Sequence, residues 1–188
     1  EIKEYTNYIY AGTKNVYGLI ENLLTWAKVQ TGRALVKPVK LNMFNEVQDA
    51  INILNIFAIN KRIVIINDVE KKMFAMGDDN MVDSILQNLI SNAIKFTKTS
   101  GLIKITSKML NNFIEISVAD NGVGMSKDEI GKLFILGKQE SKIGTSKEKG
   151  TGLGLILCKE MLKCLNGKLK VKSEVDKGST FSFTLPKK

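Results

Sequence analysis

Asn88-Leu89-Ile90-Ser91-Asn92-Ala93-Ile94-Lys95-Phe96-Thr97 places two asparagines one helical turn apart, with a lysine three residues further on. Leu89 and Ala93 repeat at the same interval and, with Met81, Ile85 and Phe96, form one apolar face. The stretch is therefore the second half of an amphipathic helix, capped by Asp78 or Asp79 and running to about Phe96. Asn88 and Asn92 share another side of it. Two neutral carboxamide oxygens beside a cation suit a hydrated Mg2+ and phosphate oxygens, because magnesium prefers oxygen ligands and keeps several waters. Taken alone, the pattern reads better as a solvated polar stripe, so the weight falls on its companions later in the chain.

There are two such companions. Asp120-Asn121-Gly122-Val123-Gly124-Met125 closes an alternating run at 113–119. Its glycines allow a tight turn and close backbone approach to a flat ring, and its carboxylate can accept a hydrogen bond from an exocyclic amine. The same residues also make an ordinary strand-ending turn. Gly150-Thr151-Gly152-Leu153-Gly154-Leu155 alternates glycines at the start of a helix expected over 151–165. Unpaired N–H groups at a helix start hold phosphate. A lysine-rich loop at 137–150 precedes it, not a strand, which argues against a dinucleotide-binding βαβ unit; no P-loop pattern occurs. In this order the three segments read as one Mg-ATP pocket beside that loop.

Outward from the site, short strands are expected at 39–43, 63–69 and 72–76, with a helix over 45–60 that turns Val47, Ala50, Ile51, Leu54 and Ala58 to one side. Runs at 101–110 and 113–119 flank an Asn111-Asn112 turn. Ser126 with Glu129 is a capping box for a brief helix to Phe134, and two last strands fall at 168–173 and 180–185. The strands are mostly hairpin-joined and each helix has one apolar face. The fold class is therefore α+β: a two-layer sandwich whose mixed, largely antiparallel sheet is covered on one face by helices. Residues 1–31 read as a long helix with a heptad seam at Ile2, Tyr5, Ile9, Gly12, Val16, Leu19, Leu23 and Trp26, stopped at Gly32. That divides the chain into an arm, 1–34, and a domain, 35–188.

The chain has 188 residues, 44% of them hydrophobic, and a net charge of +9. The charge suits an anionic ligand or an acidic partner. Nucleic acid is disfavoured: the lysines are scattered, aromatics are 7%, and no nucleic-acid motif appears. Cys158 and Cys164 lie six apart on one helix and read as free thiols of a reducing compartment. No run approaches a membrane span. There is no histidine.

Together the motifs resemble the ATP-binding catalytic part of sensor histidine kinases, in the superfamily shared with gyrase, the large heat-shock chaperone and mismatch-repair ATPases. Residues 88–97 resemble the N box, 120–124 the first glycine box, 150–154 the second, and Gly178-Ser179-Thr180-Phe181 the third. Residues 23–32 resemble the end of the second dimerisation helix. The resemblance implies ATP and Mg2+ as ligands and assigns roles. Asp120 would read the adenine amine, helped through water by Thr180; Asn92, with Asn88, would hold Mg2+; Lys95 would meet phosphate. Phe96, Gly122, Gly124 and Met125 would shape the nucleotide's edge, and Lys149, Gly150, Thr151, Gly152, Leu153, Gly154 and Leu155 would border the phosphates. Lys142, Lys147 and Lys149 would be the candidate cations of the preceding loop, and of the phenylalanine box only Phe134 is kept.

ATP hydrolases of this superfamily place a glutamate base where this chain has Asn88. A carboxamide takes no proton near neutral pH, which favours phosphoryl transfer to another nucleophile. The resemblance makes that nucleophile a histidine, expected to precede Glu1 in a longer parent. The implied partners are the parent's own dimerisation and phosphoacceptor domain in a homodimer, and a response regulator receiver domain. The implied setting is the cytoplasm, on a parent that is either soluble or membrane-bound. An ATP-driven conformational ATPase, an anti-sigma-type serine kinase and a non-enzymatic relative are the alternatives.

Overall fold

The computed structural model describes residues 6, 13, 24, 27, 35–135, 144–146, 148 and 152–187. The expected N-terminal helix and its seam lie outside the described residues, except Thr6, Thr13, Leu24 and Ala27, which are helical. The chain divides into two compact units, Glu1–Leu35 and Val36–Lys188, and the second holds all the described strands and the three motif segments.

β1 (Val39–Asn42) pairs antiparallel with β3 (Phe74–Gly77) as a separate two-stranded sheet. Asn42 ends β1 and caps α1 (Met43–Asn60), its Oδ1 accepting from Phe44 N at 3.1 Å. The helix thus begins two residues before the expected position, because a β-strand end with an asparagine is itself a cap. Its buried face is Met43, Val47, Ala50, Ile51, Leu54 and Ala58. Asp78 caps α2 (Asp79–Phe96), accepting from Met81 N at 3.2 Å. The buried face of α2 is wider than the stripe in its sequence: Val82, Leu86, Ile90 and Ile94 join Ile85, Leu89 and Ala93, while Met81 and Phe96 are half-buried. A helix that packs on a sheet and between two other helices buries more than one stripe.

β2 (Val64–Asp68), β4 (Leu102–Met109), β5 (Phe113–Asp120), β6 (Leu169–Glu174) and β7 (Gly178–Pro186) form one sheet in the order β2-β4-β5-β7-β6. Only β2 and β4 run parallel. The α+β, mixed and largely antiparallel architecture is the one expected; the small β1–β3 sheet is an addition to it. α3 (Lys127–Lys132) carries the Ser126–Glu129 capping box, and α4 (Gly154–Cys164) follows the second glycine stretch. One hydrophobic core joins α1, α2 and α4 to the inner row of the sheet: Ile103 and Ile105 on β4, Ile114, Ile116 and Val118 on β5, Phe181, Phe183 and Leu185 on β7. The register Ile114↔Leu185, Ile116↔Phe183, Val118↔Phe181 and Asp120↔Ser179 carries this row to the ends of β5 and β7. A slip of one residue would turn every member outward, so the core itself places Asp120 and Ser179.

Glu46, in the first turn of α1, lies near Asp79, Asp83 and Asp49. Burial first, then those carboxylates, raise its pKa from 4.5 to about 7. The unfolded chain releases this proton near 4.5 and the folded chain holds it to about 7, so Glu46 makes stability fall as pH rises through that window. Glu46→Gln is expected to melt with the parent near pH ~4 and above it near pH ~8. Thermal melts at both values check this, and a pH-independent difference would contradict it.

Candidate functional site

Asp120 stands at the end of β5 on the helix-covered side of the sheet. Its Oδ1 accepts from Gly122 N at 2.8 Å and Ser179 N at 3.3 Å. Burial raises the Asp120 pKa, and the two amide bonds pull it back towards ionisation. Oδ2 has no partner among the described residues, so it remains an acceptor in a half-buried place. The turn after Asp120 is pressed against its surroundings. Val123 N donates to Phe96 O at 3.1 Å, and a Cβ on Gly122 would strike that same carbonyl and Asp120 Oδ1. Gly124 (φ 65°) and Gly178 (φ 108°) are in the left-handed region. A Cβ on the first would overlap Glu174 O, and on the second Asp120 O. These backbone approaches bring the end of α2, the end of β5 and the start of β7 together at Asp120.

On α2, Asn88 Nδ2 donates to Ser84 O at 2.9 Å, and its Oδ1 occupies the space a Cβ on Gly154 would need. The start of α4 therefore abuts the asparagine face of α2. The Asn92 side chain, one turn on, is half-buried and makes no hydrogen bond among the described residues. The Lys95 ammonium stands 4.9 Å from the centre of the Phe96 ring. Burial lowers the Lys95 pKa and the Glu148 carboxylate opposes that shift. At the N-terminus of α4 the cap position is Leu153, whose apolar side chain cannot accept from the first turn's N–H groups. Such a start leaves backbone N–H groups for an anion.

The family described as histidine kinase-, DNA gyrase B- and HSP90-like ATPase matches residues 77–188. This chain belongs to that family. Within it, the chain is 32% identical over 191 residues to hybrid signal transduction histidine kinase B of Dictyostelium discoideum, covering 98% of this chain and 10% of that protein. It is 33% identical over 192 residues to sporulation kinase C of Bacillus subtilis (strain 168), covering 99% of this chain and 42% of that one. The chain thus spans less than half the length of either relative. Among solved structures, full-length ShkA in complex with AMPPNP is similar at TM-score 0.84 and 22% identity, over 98% of this chain and 38% of that one. Acinetobacter baumannii histidine kinase AdeS is similar at TM-score 0.80 and 18% identity, over 97% and 83%.

Against this family frame, Asn88, Asn92, Lys95, Phe96, Asp120, Gly122, Gly124, Gly152 and Gly154 fall in the segments that meet around the end of β5 and the asparagine face of α2. Met125 and Leu155 are half-buried against the core. Lys149, Gly150 and Thr151, with Lys142 and Lys147, lie outside the described residues. Thr180 needs correction. It pairs with Ala119, one step along from Asp120↔Ser179, and strand alternation turns it to the opposite face of the sheet. Ser179 is the residue that faces Asp120, through its amide, and its hydroxyl lies 2.9 Å from that of Ser173. The alternation of Phe181, Phe183 and Leu185 was the available signal: counting inward from them selects 179, not 180. Lys61, Thr145 and Glu148, which cluster beside Lys95, had no such signal.

Gly124→Ala and Gly178→Ala each add a Cβ at positive φ and into a backbone carbonyl. Each is expected to lose roughly 2–4 kcal/mol of stability. Urea denaturation measures it, and a loss below about 0.5 kcal/mol, as at an ordinary surface position, would contradict the packing described.

Proposed function

We propose that this chain is the catalytic, ATP-binding portion of a two-component sensor histidine kinase. Residues 35–188 are the nucleotide-binding domain and residues 1–34 the end of a second dimerisation helix. The observation that carries this reading is Asp120. One carboxylate oxygen is held by two backbone amides and the other is open, at the meeting point of the N-box helix and two glycine turns. An acceptor fixed in that way can read an exocyclic amine on a flat base without rearranging.

Asn92 offers a carboxamide unengaged among the described residues and Asn88 a second one turn away, a neutral oxygen set that fits Mg2+ with its remaining waters. The ion supplies charge neutralisation on the phosphates when bound. Lys95 adds a cation on the same stretch, and Phe96 and Met125 border the base. Asn88 is tied to its own helix through Nδ2 and has no basic atom for activating water. The site therefore positions a γ-phosphoryl group for an external nucleophile, in a reaction where positioning and charge carry most of the catalysis. That nucleophile is a histidine supplied from outside these residues, since the chain contains none. A homodimer's phosphoacceptor domain provides it, a receiver domain of a response regulator takes the phosphate onward, and the assembly works in the cytoplasm without nucleic acid. Among the described residues no helix is long and apolar enough to cross a membrane.

Titration calorimetry with a non-hydrolysable ATP analogue tests the site. Asp120→Ala and Asn92→Ala are each expected to weaken binding about tenfold or more, the second only with Mg2+ present. Undiminished binding in both would overturn the assignment. Incubated with ATP, the chain alone is expected to gain no acid-labile phosphate and to show no steady turnover. Steady turnover would favour a conformational ATPase instead.

A further inference from the structure

Lys61 directly succeeds α1, outside every nucleotide motif, yet its side chain is only 8% exposed. Its Nζ reaches four acceptors: Ile94 O at 2.7 Å, Lys95 O at 3.1 Å, Thr145 Oγ1 at 2.6 Å and Glu148 Oε1 at 3.0 Å. Lysine is rarely buried so deeply without a matching charge, and an ammonium has three protons to place. The first two acceptors are carbonyls in the last turn of α2, which have no partner within the helix. The other two belong to the residues that precede the second glycine stretch in sequence.

Those residues are themselves fastened to the same helix end. Thr145 N donates to Lys95 O at 3.0 Å, and its hydroxyl lies 2.8 Å from Thr97 O. Glu148 holds the turn together: its carbonyl accepts from Gly144 N and its Oε2 from Ser146 N, both at 2.8 Å. Gly144 is buried, and a Cβ there would run into both the Glu148 carboxylate and the Lys95 stem. A carboxylate is thus seated against Lys95, the cation assigned to phosphate. Left alone, it would draw the Lys95 ammonium to itself and repel a phosphate chain. Burial disfavours its charge, but backbone amides and the Lys61 ammonium outweigh burial and keep its carboxyl below the usual value.

We propose that Lys61 is a positioning residue for phosphate binding: it neutralises Glu148 and ties residues 144–146 and 148 to the end of α2, leaving Lys95 free to meet phosphate. This role rests on the nucleotide-binding function proposed for the site. It differs from a purely structural role in that charge balance, more than the tie itself, governs phosphate affinity. The unpaired Glu148 carboxylate is therefore the harmful species when Lys61 is lost, and removing it restores the site.

The test compares a non-hydrolysable ATP analogue with adenosine by calorimetry on the whole chain. Failure of the unaltered chain to bind either ligand would refute the nucleotide reading itself. Given that binding, Lys61→Met is expected to weaken the ATP analogue about five- to tenfold and adenosine less than about twofold. Lys61→Met/Glu148→Gln, which restores neutrality without restoring the tie, is expected to recover ATP-analogue affinity to within about threefold of the unaltered chain. Equal losses for both ligands, or no recovery in the double variant, would overturn the proposal. Should Lys61→Met fail to fold, Glu148→Gln alone decides: ATP-analogue affinity is expected to rise about two- to fivefold relative to adenosine, and an unchanged ratio would overturn it.

Discussion

The register between β5 and β7 is the constraint on which the rest depends. Ile114, Ile116 and Val118 face Leu185, Phe183 and Phe181 in the core, and the next pair in the row is Asp120 with Ser179. Hydrophobic packing thus delivers a carboxylate to a partly desolvated place it would not choose on its own. Two amides offset that cost by holding one oxygen, Gly122 N from its own turn and Ser179 N from the neighbouring strand. The apolar interior and the polar site are consecutive rungs of one ladder.

Backbone-on-backbone contact then closes the site. Carbonyls stand where side chains would otherwise be: Phe96 O at Gly122, Glu174 O at Gly124, Asp120 O at Gly178. Glycine permits this proximity, and proximity lets α2, β5 and β7 share one corner. Asn88 against Gly154 does the same between α2 and α4. Each glycine stretch is therefore a packing device in its own right, apart from the ligand contacts proposed for it, which is why its segments resemble ordinary turns when read singly.

Electrostatics divides the molecule unevenly. Most lysines of this basic chain are exposed, and their pairs, such as Lys104 with Asp68 at 2.8 Å, lie in water and contribute little. Lys61 with Glu148 is different, because its cation is buried and bound to helix-end carbonyls as well. The acidic group around Glu46 is a third kind, in which burial, then like charges at two helix starts, press a proton onto one member. Charge counts in the sequence distinguish none of these, since burial sets the strength of each.

The sequence by itself determined the element order, the mixed and largely antiparallel sheet, the two capped helices and the three segments proposed as the site. These rest on local chemistry: period, caps and glycine spacing all act within a few residues. The width of α2's buried face, the extra β1–β3 pair, the choice of Ser179 over Thr180 and the Lys61–Thr145–Glu148 cluster were decided by the tertiary structure. Thr180 was misplaced because motif likeness orders residues along the chain, whereas strand alternation sorts them between faces. The lysine cluster joins residues more than eighty positions apart. Only packing brings such groups together, and only burial makes their charges matter.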